Sequence, residues 1–98
     1  MSYLVFCTFD LKNATSSDYE TAYAALEKLG LQKVHKSDKG KEVVIPTTAA
    51  MGELDGDNAG AVRDHVAAQI KAAFAALRLK SEIFVTVGGN WAWGSRTT

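Results

Sequence analysis

A chain of 98 residues, 47% of them apolar, can bury one core without a metal or a disulfide and has no room for a second domain. Eleven Lys and Arg balance eleven Asp and Glu, which excludes the strong basic field of a protein that coats nucleic acid regardless of sequence, though not an enzyme with a local basic patch. The single cysteine, Cys7, excludes an intrachain disulfide.

Residues 3–9 are nearly all apolar or β-branched and end at Asp10, the pattern of an interior strand with helices over one face. Within that run Cys7 reads as a buried, inert thiol. No basic leader precedes it, so a signal peptide is not expected, and the apolar stretches fall short of the ~20 residues that cross a bilayer. A cytoplasmic location is the expectation.

Ser17 and Glu20 have capping-box spacing, and Tyr19, Ala22, Tyr23, Leu26 and Leu29 recur at helical intervals. The spacing predicts a helix over 17–29, stopped by Gly30 in a left-handed conformation. Residues 31–36 read as an edge strand, Ser37 to Gly40 as a hairpin turn, and 41–48, with Val43, Val44 and Ile45, as a second central strand that Pro46 bulges or ends. Residues 47–61 are small and polar. A second helix is expected from Asp57 or Asn58 to near Leu79, with Val62, Val66, Ile70, Phe74 and Leu77 as its stripe. A last strand covers 83–87, and the tail, with Trp91 and Trp93, reads as a short fifth strand carrying both indoles on one face.

This order, strand–helix–strand–strand–helix–strand, predicts an α+β fold: one ferredoxin-like βαββαβ two-layer sandwich over 1–98, an antiparallel sheet with both helices on one face and residues 88–98 as an extension. The other sheet face then needs cover. A bare apolar face favours a homodimer, with Trp91 and Trp93 at the interface between copies or with another partner, unless the tail folds back on its own chain.

Asp10 is the first candidate for chemistry. A carboxylate at a strand end, doubled across a two-fold axis, is what Mg²⁺ needs to activate water or steady a phosphate, although Asp is also common where a strand turns. Lys33, His35, Lys36, Lys39 and Lys41 make a basic hairpin that reads either as a contact for an RNA backbone or as lysine protection of an edge strand. Asp55, Asp57 and Asn58 do not form a calcium loop, because Ala59 and Val66 fall where an oxygen ligand and a bidentate Glu are required. His35 and His65 lack a second ligand at zinc spacing, and His65 reads as solvated or partly packed. No glycine pattern matches a phosphate loop, a dinucleotide fingerprint or a nucleophile elbow.

Tyr3-Leu4-Val5-Phe6-Cys7-Thr8-Phe9-Asp10-Leu11, followed by Asp18-Tyr19, Tyr23, Leu26 and Leu29-Gly30-Leu31, resembles a superfamily of small ferredoxin-like ribonucleases. It includes the small CRISPR adaptation nuclease, the virulence-associated protein D toxins and the endoribonuclease antitoxin that cleaves its toxin's message. The resemblance covers about a third of the chain in residues and the rest only in element order. The arginine and aromatic residues that some members carry after the second strand are missing, and Ile45-Pro46-Thr47-Thr48 has no counterpart. The resemblance implies a symmetric dimer with Asp10 as the strand-end metal-binding or catalytic aspartate. The expectation is a Mg²⁺-dependent endoribonuclease-like protein of a toxin–antitoxin or phage-defence setting. The alternatives are a non-catalytic interaction module, using the open sheet face and the two tryptophans, and a regulatory protein without chemistry.

Overall fold

Side-chain alternation sets the first strand. Along β1 (Ser2–Leu11), Tyr3, Val5, Cys7, Phe9 and Leu11 are buried, Leu4, Phe6 and Thr8 are half-buried and Asp10 is exposed. The computed structural model describes residues 1–46 and 48–98. After β1 come α1 (Ser16–Lys28), β2 (Val34–Lys36), β3 (Glu42–Val44), β4 (Ala49–Asp55), α2 (Ala59–Ala76) and β5 (Ser81–Gly88).

β1 is the middle of a three-stranded antiparallel sheet in the order β4-β1-β5. Val5 lies opposite Gly52 and Val87, and Cys7 opposite Ala50 and Val85, so these residues share the face under the helices. α1 presents Ala22 and Leu26 to that face, and α2 presents Val62, Val66, Ile70 and Phe74, each four residues from the last. Phe9 joins the layers, its ring 5.5 Å from both Tyr23 and Phe74 in edge-on contacts. The molecule measures 37 × 36 × 20 Å, and its short dimension matches a sheet plus one helix layer at roughly 10 Å spacing. The fold is α+β with two helices on one side of an antiparallel sheet.

Both helices begin on a side-chain cap. In α1 the Thr15 hydroxyl accepts from the Asp18 N–H (3.2 Å) and the Asp18 carboxylate accepts from the Thr15 N–H (3.0 Å). The capping box is thus two residues earlier than the expected Ser17 and Glu20. Asn58 caps α2, accepting from the Ala61 N–H at 2.8 Å. The predicted stripe of α2 holds except for Leu77, which is the C-cap and is exposed.

Two expectations are corrected. The strand expected over 41–48 at the centre of the sheet is not there: Val43 and Val44 belong to β3, which pairs with β2 in a separate two-stranded ribbon. Thr47 of that stretch lies outside the described residues. The neighbour of β1 is instead β4, in the stretch whose small residues read as loop. Ala49, Ala50, Met51 and Gly52 carry little strand signal, yet all are buried, and at Gly52 the missing side chain lets another backbone come close. A Cβ on Gly52 would stand 2.0 Å from the Gly30 carbonyl oxygen. There Gln32 makes a single antiparallel bridge to Met51, with reciprocal bonds of 2.9 Å, before the chain departs into the ribbon. The second correction concerns the tail. Residues 89–98 form no strand, so the expected fifth strand beyond 83–87 is absent.

Candidate functional site

Registered neighbours in an antiparallel sheet point to one side, so the helix-free face carries Leu4, Phe6, Thr8 and Asp10 of β1, Ala49, Met51 and Glu53 of β4, and Glu82, Phe84 and Thr86 of β5. No helix covers this face, yet Ala49 and Met51 are buried (Met51 is 5% exposed), whereas Phe84 on the opposite edge is 64% exposed. Val44 of β3 lines a cleft with Tyr19 and Tyr23 of α1, so the Val34–Val44 side of the ribbon looks toward the helices. His35 alternates with Val34 and projects to the other side. Its ring meets Trp93 at 6.3 Å between centroids. The chain that leaves β5 at Gly88 thus reaches the ribbon at His35, and the tail folds back on its own chain.

The unshielded part of the face holds Asp10. It is exposed, one residue before the end of β1, and lies opposite Glu82. Thr8, Phe9, Asp10, Glu82, Ile83 and Phe84 line a shallow depression of about 160 Å³. The Lys12 ammonium holds the Glu82 carboxylate at 3.1 Å in an exposed ion pair. Asp10 thus has an acidic neighbour that is already partly neutralised, and an apolar one in Phe84.

Mg²⁺ takes oxygen ligands in a near-octahedral shell and is commonly held by one or two carboxylates plus waters. Among the described residues no three His, Cys, Asp or Glu side chains gather where they could hold a metal ion. Asp10 and the Glu82 opposite it are the two carboxylates of this depression, and Lys12 engages one of them.

The basic residues of the hairpin are divided between its two sides. The Lys33 ammonium sits over the Tyr23 ring, 4.4 Å from its centroid, on the helix side. Lys36 is opposite Glu42 on that same side of the ribbon. His35 is on the other side, its Nε2–H donating to the Gln32 carbonyl oxygen at 2.8 Å. Lys39 and Lys41 are exposed at the turn. Trp91 is half-buried and Trp93 is 40% exposed against His35. The association of Trp93 with His35 was not legible in the sequence, because it joins residues of two elements that share no pattern.

Elsewhere, Cys7 is fully buried, and burial pushes its thiol pKa up to about 11, against a smaller lowering by its backbone hydrogen bond with Ala50. It is no nucleophile. A wider depression of about 620 Å³, floored by Leu29, Leu54, Val62 and Val66, has Asp55, Asp57 and His65 at its rim. His65 is exposed there, as expected of a solvated histidine.

No family model matches the chain, and no curated protein matches it in sequence. Among the described residues no helix is long and apolar enough to cross a membrane.

Proposed function

We propose that this chain is a ferredoxin-like, homodimeric protein of the ribonuclease-like kind, in which Asp10 orients water at a centre completed by a second copy. The observation that carries the reading is the position of Asp10: an exposed carboxylate at the end of the central strand, on the part of the sheet face left uncovered beside Phe84. In support of the ferredoxin-like order, the Gln32–Met51 bridge stands where a fourth strand would flank β4. In support of pairing, Phe84 and the half-buried Leu4 and Phe6 leave apolar surface on the same face. The surface is smaller than a wholly bare face, because Ala49 and Met51 of the same face are already buried. Where the reaction depends on Mg²⁺, Asp10 would hold the ion, with the remaining oxygens from Glu82, water or the second copy.

The test is incubation of pure protein with labelled RNA, with and without Mg²⁺, beside Asp10→Ala. Loss of cleavage by about 100-fold or more in the variant is expected of a group that handles the reacting water. Cleavage that survives the substitution unchanged removes Asp10 from the mechanism.

A second reading, a non-catalytic interaction module, is favoured by one observation: Phe84, an apolar side chain, stands 64% exposed on this face. Neither cleavage nor RNA binding at low salt would leave that module as the function.

A further inference from the structure

We propose that the junction of the ribbon and the tail is a binding site for single-stranded RNA, with the Trp93 indole as the platform on which a base stacks. This rests on the RNA reading above and names where and how the strand is held.

The chain as a whole is neutral, but its charge is not evenly placed. Residues 32–45 carry four lysines against Asp38 and Glu42, and residues 89–98 carry Arg96 and no acid. The tail brings these two segments together through Trp93 and His35. Alternation in the ribbon then sorts the charges. Glu42 and Lys36 share the side that looks toward the helices, and Lys33 is occupied over Tyr23. His35 and Val43 form the other side. Lys41, one residue before β3 and bonded through its carbonyl to the Ser37 N–H (2.9 Å), continues that side. The side of His35 thus continues to Lys41, with Asp38 and Lys39 in the turn beyond it, and the tail carries Arg96 three residues after Trp93, while Glu42 faces away.

An aromatic ring flanked by cations is the element that holds single strands without reading sequence: phosphates meet the cations and a base meets the ring. Trp93 keeps 40% of its surface open. The edge-on contact with His35, inclined at 64°, fixes the indole from the side. His35 is itself held by the Gln32 carbonyl, next to the bridge to Met51, so the platform is anchored to the sheet. A duplex, whose bases are already stacked, offers no partner to the ring.

Fluorescence anisotropy of a labelled ten-nucleotide oligouridylate at low salt tests this on the full chain. Trp93→Ala is expected to weaken binding roughly 10-fold or more, and Trp93→Phe to retain most of it. Substituting Lys39 and Lys41 together with Ala should flatten the dependence of log K on log salt by about 1 to 1.5, as expected when two phosphate contacts are lost from a single strand. Circular dichroism of each variant confirms that the fold is kept. Binding by Trp93→Ala equal to wild type, or equal affinity for a duplex of the same length, overturns the platform and leaves the RNA reading standing. No binding by the wild-type chain overturns the RNA reading itself.

Discussion

Gly52 shows how much one missing side chain decides. It lies opposite Val5 on the helix side of the sheet, and the Gly30 backbone passes where its Cβ would be, with the oxygen only 2.0 Å away. Because the obstacle is backbone, it cannot rotate aside. Gly52→Ala is therefore expected to destabilise the fold by about 2 kcal/mol or more, measured as a lower midpoint in urea unfolding. Cys7, also opposite the β4 backbone, carries a pH dependence. The folded thiol keeps its proton up to about 11, whereas the unfolded thiol loses it near 9.0. Its stability contribution is complete below about pH 9 and falls as the pH rises toward 11, by roughly 2 to 3 kcal/mol in all. The difference in unfolding free energy between pH 8 and pH 10.5 should be smaller in Cys7→Ala than in the wild type. Equal slopes would show that other groups produce the alkaline loss.

The two helices end with the same pair of bonds on different residues. After α1, Leu31 N–H reaches the Leu26 carbonyl (2.9 Å) and Gly30 N–H that of Glu27 (3.0 Å). After α2, Leu79 reaches Phe74 (2.9 Å) and Arg78 reaches Ala75 (3.0 Å). The turn requires a left-handed residue, Gly30 at φ 87° in one case and Arg78 at φ 59° in the other. A side chain is disfavoured there, so Arg78→Gly is expected to stabilise by about 0.5–1 kcal/mol, a rise of several degrees in Tm by thermal circular dichroism. The first stop was legible because glycine marks it; the second was not, because the bonding pattern, and not the residue, imposes the conformation. The α1 cap makes a similar point. Ser17–Glu20 and Thr15–Asp18 have the same spacing, and local sequence offers both. The chosen start comes with an anchor that only the fold supplies, the Tyr19 hydroxyl accepting from the Leu11 N–H at 3.3 Å.

At the scale of the molecule, the helix-free face is divided. Its β4 side is buried at Ala49 and Met51, and its β5 side presents Phe84 beside Asp10. If copies pair through that open part, Phe84→Glu should abolish the pairing without unfolding the chain, since the side chain is 64% exposed and loses little on substitution. Sedimentation at micromolar concentration decides: the wild type is expected as a dimer and the variant as the 10.5 kDa monomer. A 10.5 kDa wild type removes the pairing and, with it, any shared acidic centre.

The sequence by itself determined what repeats along the chain: the two amphipathic helices, the central strand with its alternating faces, the last strand, the glycine stop after α1 and the burial of Cys7. Each is written in a period of two or of about 3.6 residues, and the solvent–core boundary enforces it locally. Only the tertiary structure decided the rest. β4 is a strand because Ala50 fits against the core side of β1 and Gly52 admits the Gly30 backbone, a property of fit that carries no period. Val43 and Val44 have the better strand propensity, yet they form a ribbon outside the main sheet, since propensity says nothing of which partner is in reach. Asp10 was found as a strand-end acid; that it stands exposed beside Phe84, and that Trp93 meets His35, depends on contacts between residues distant in sequence.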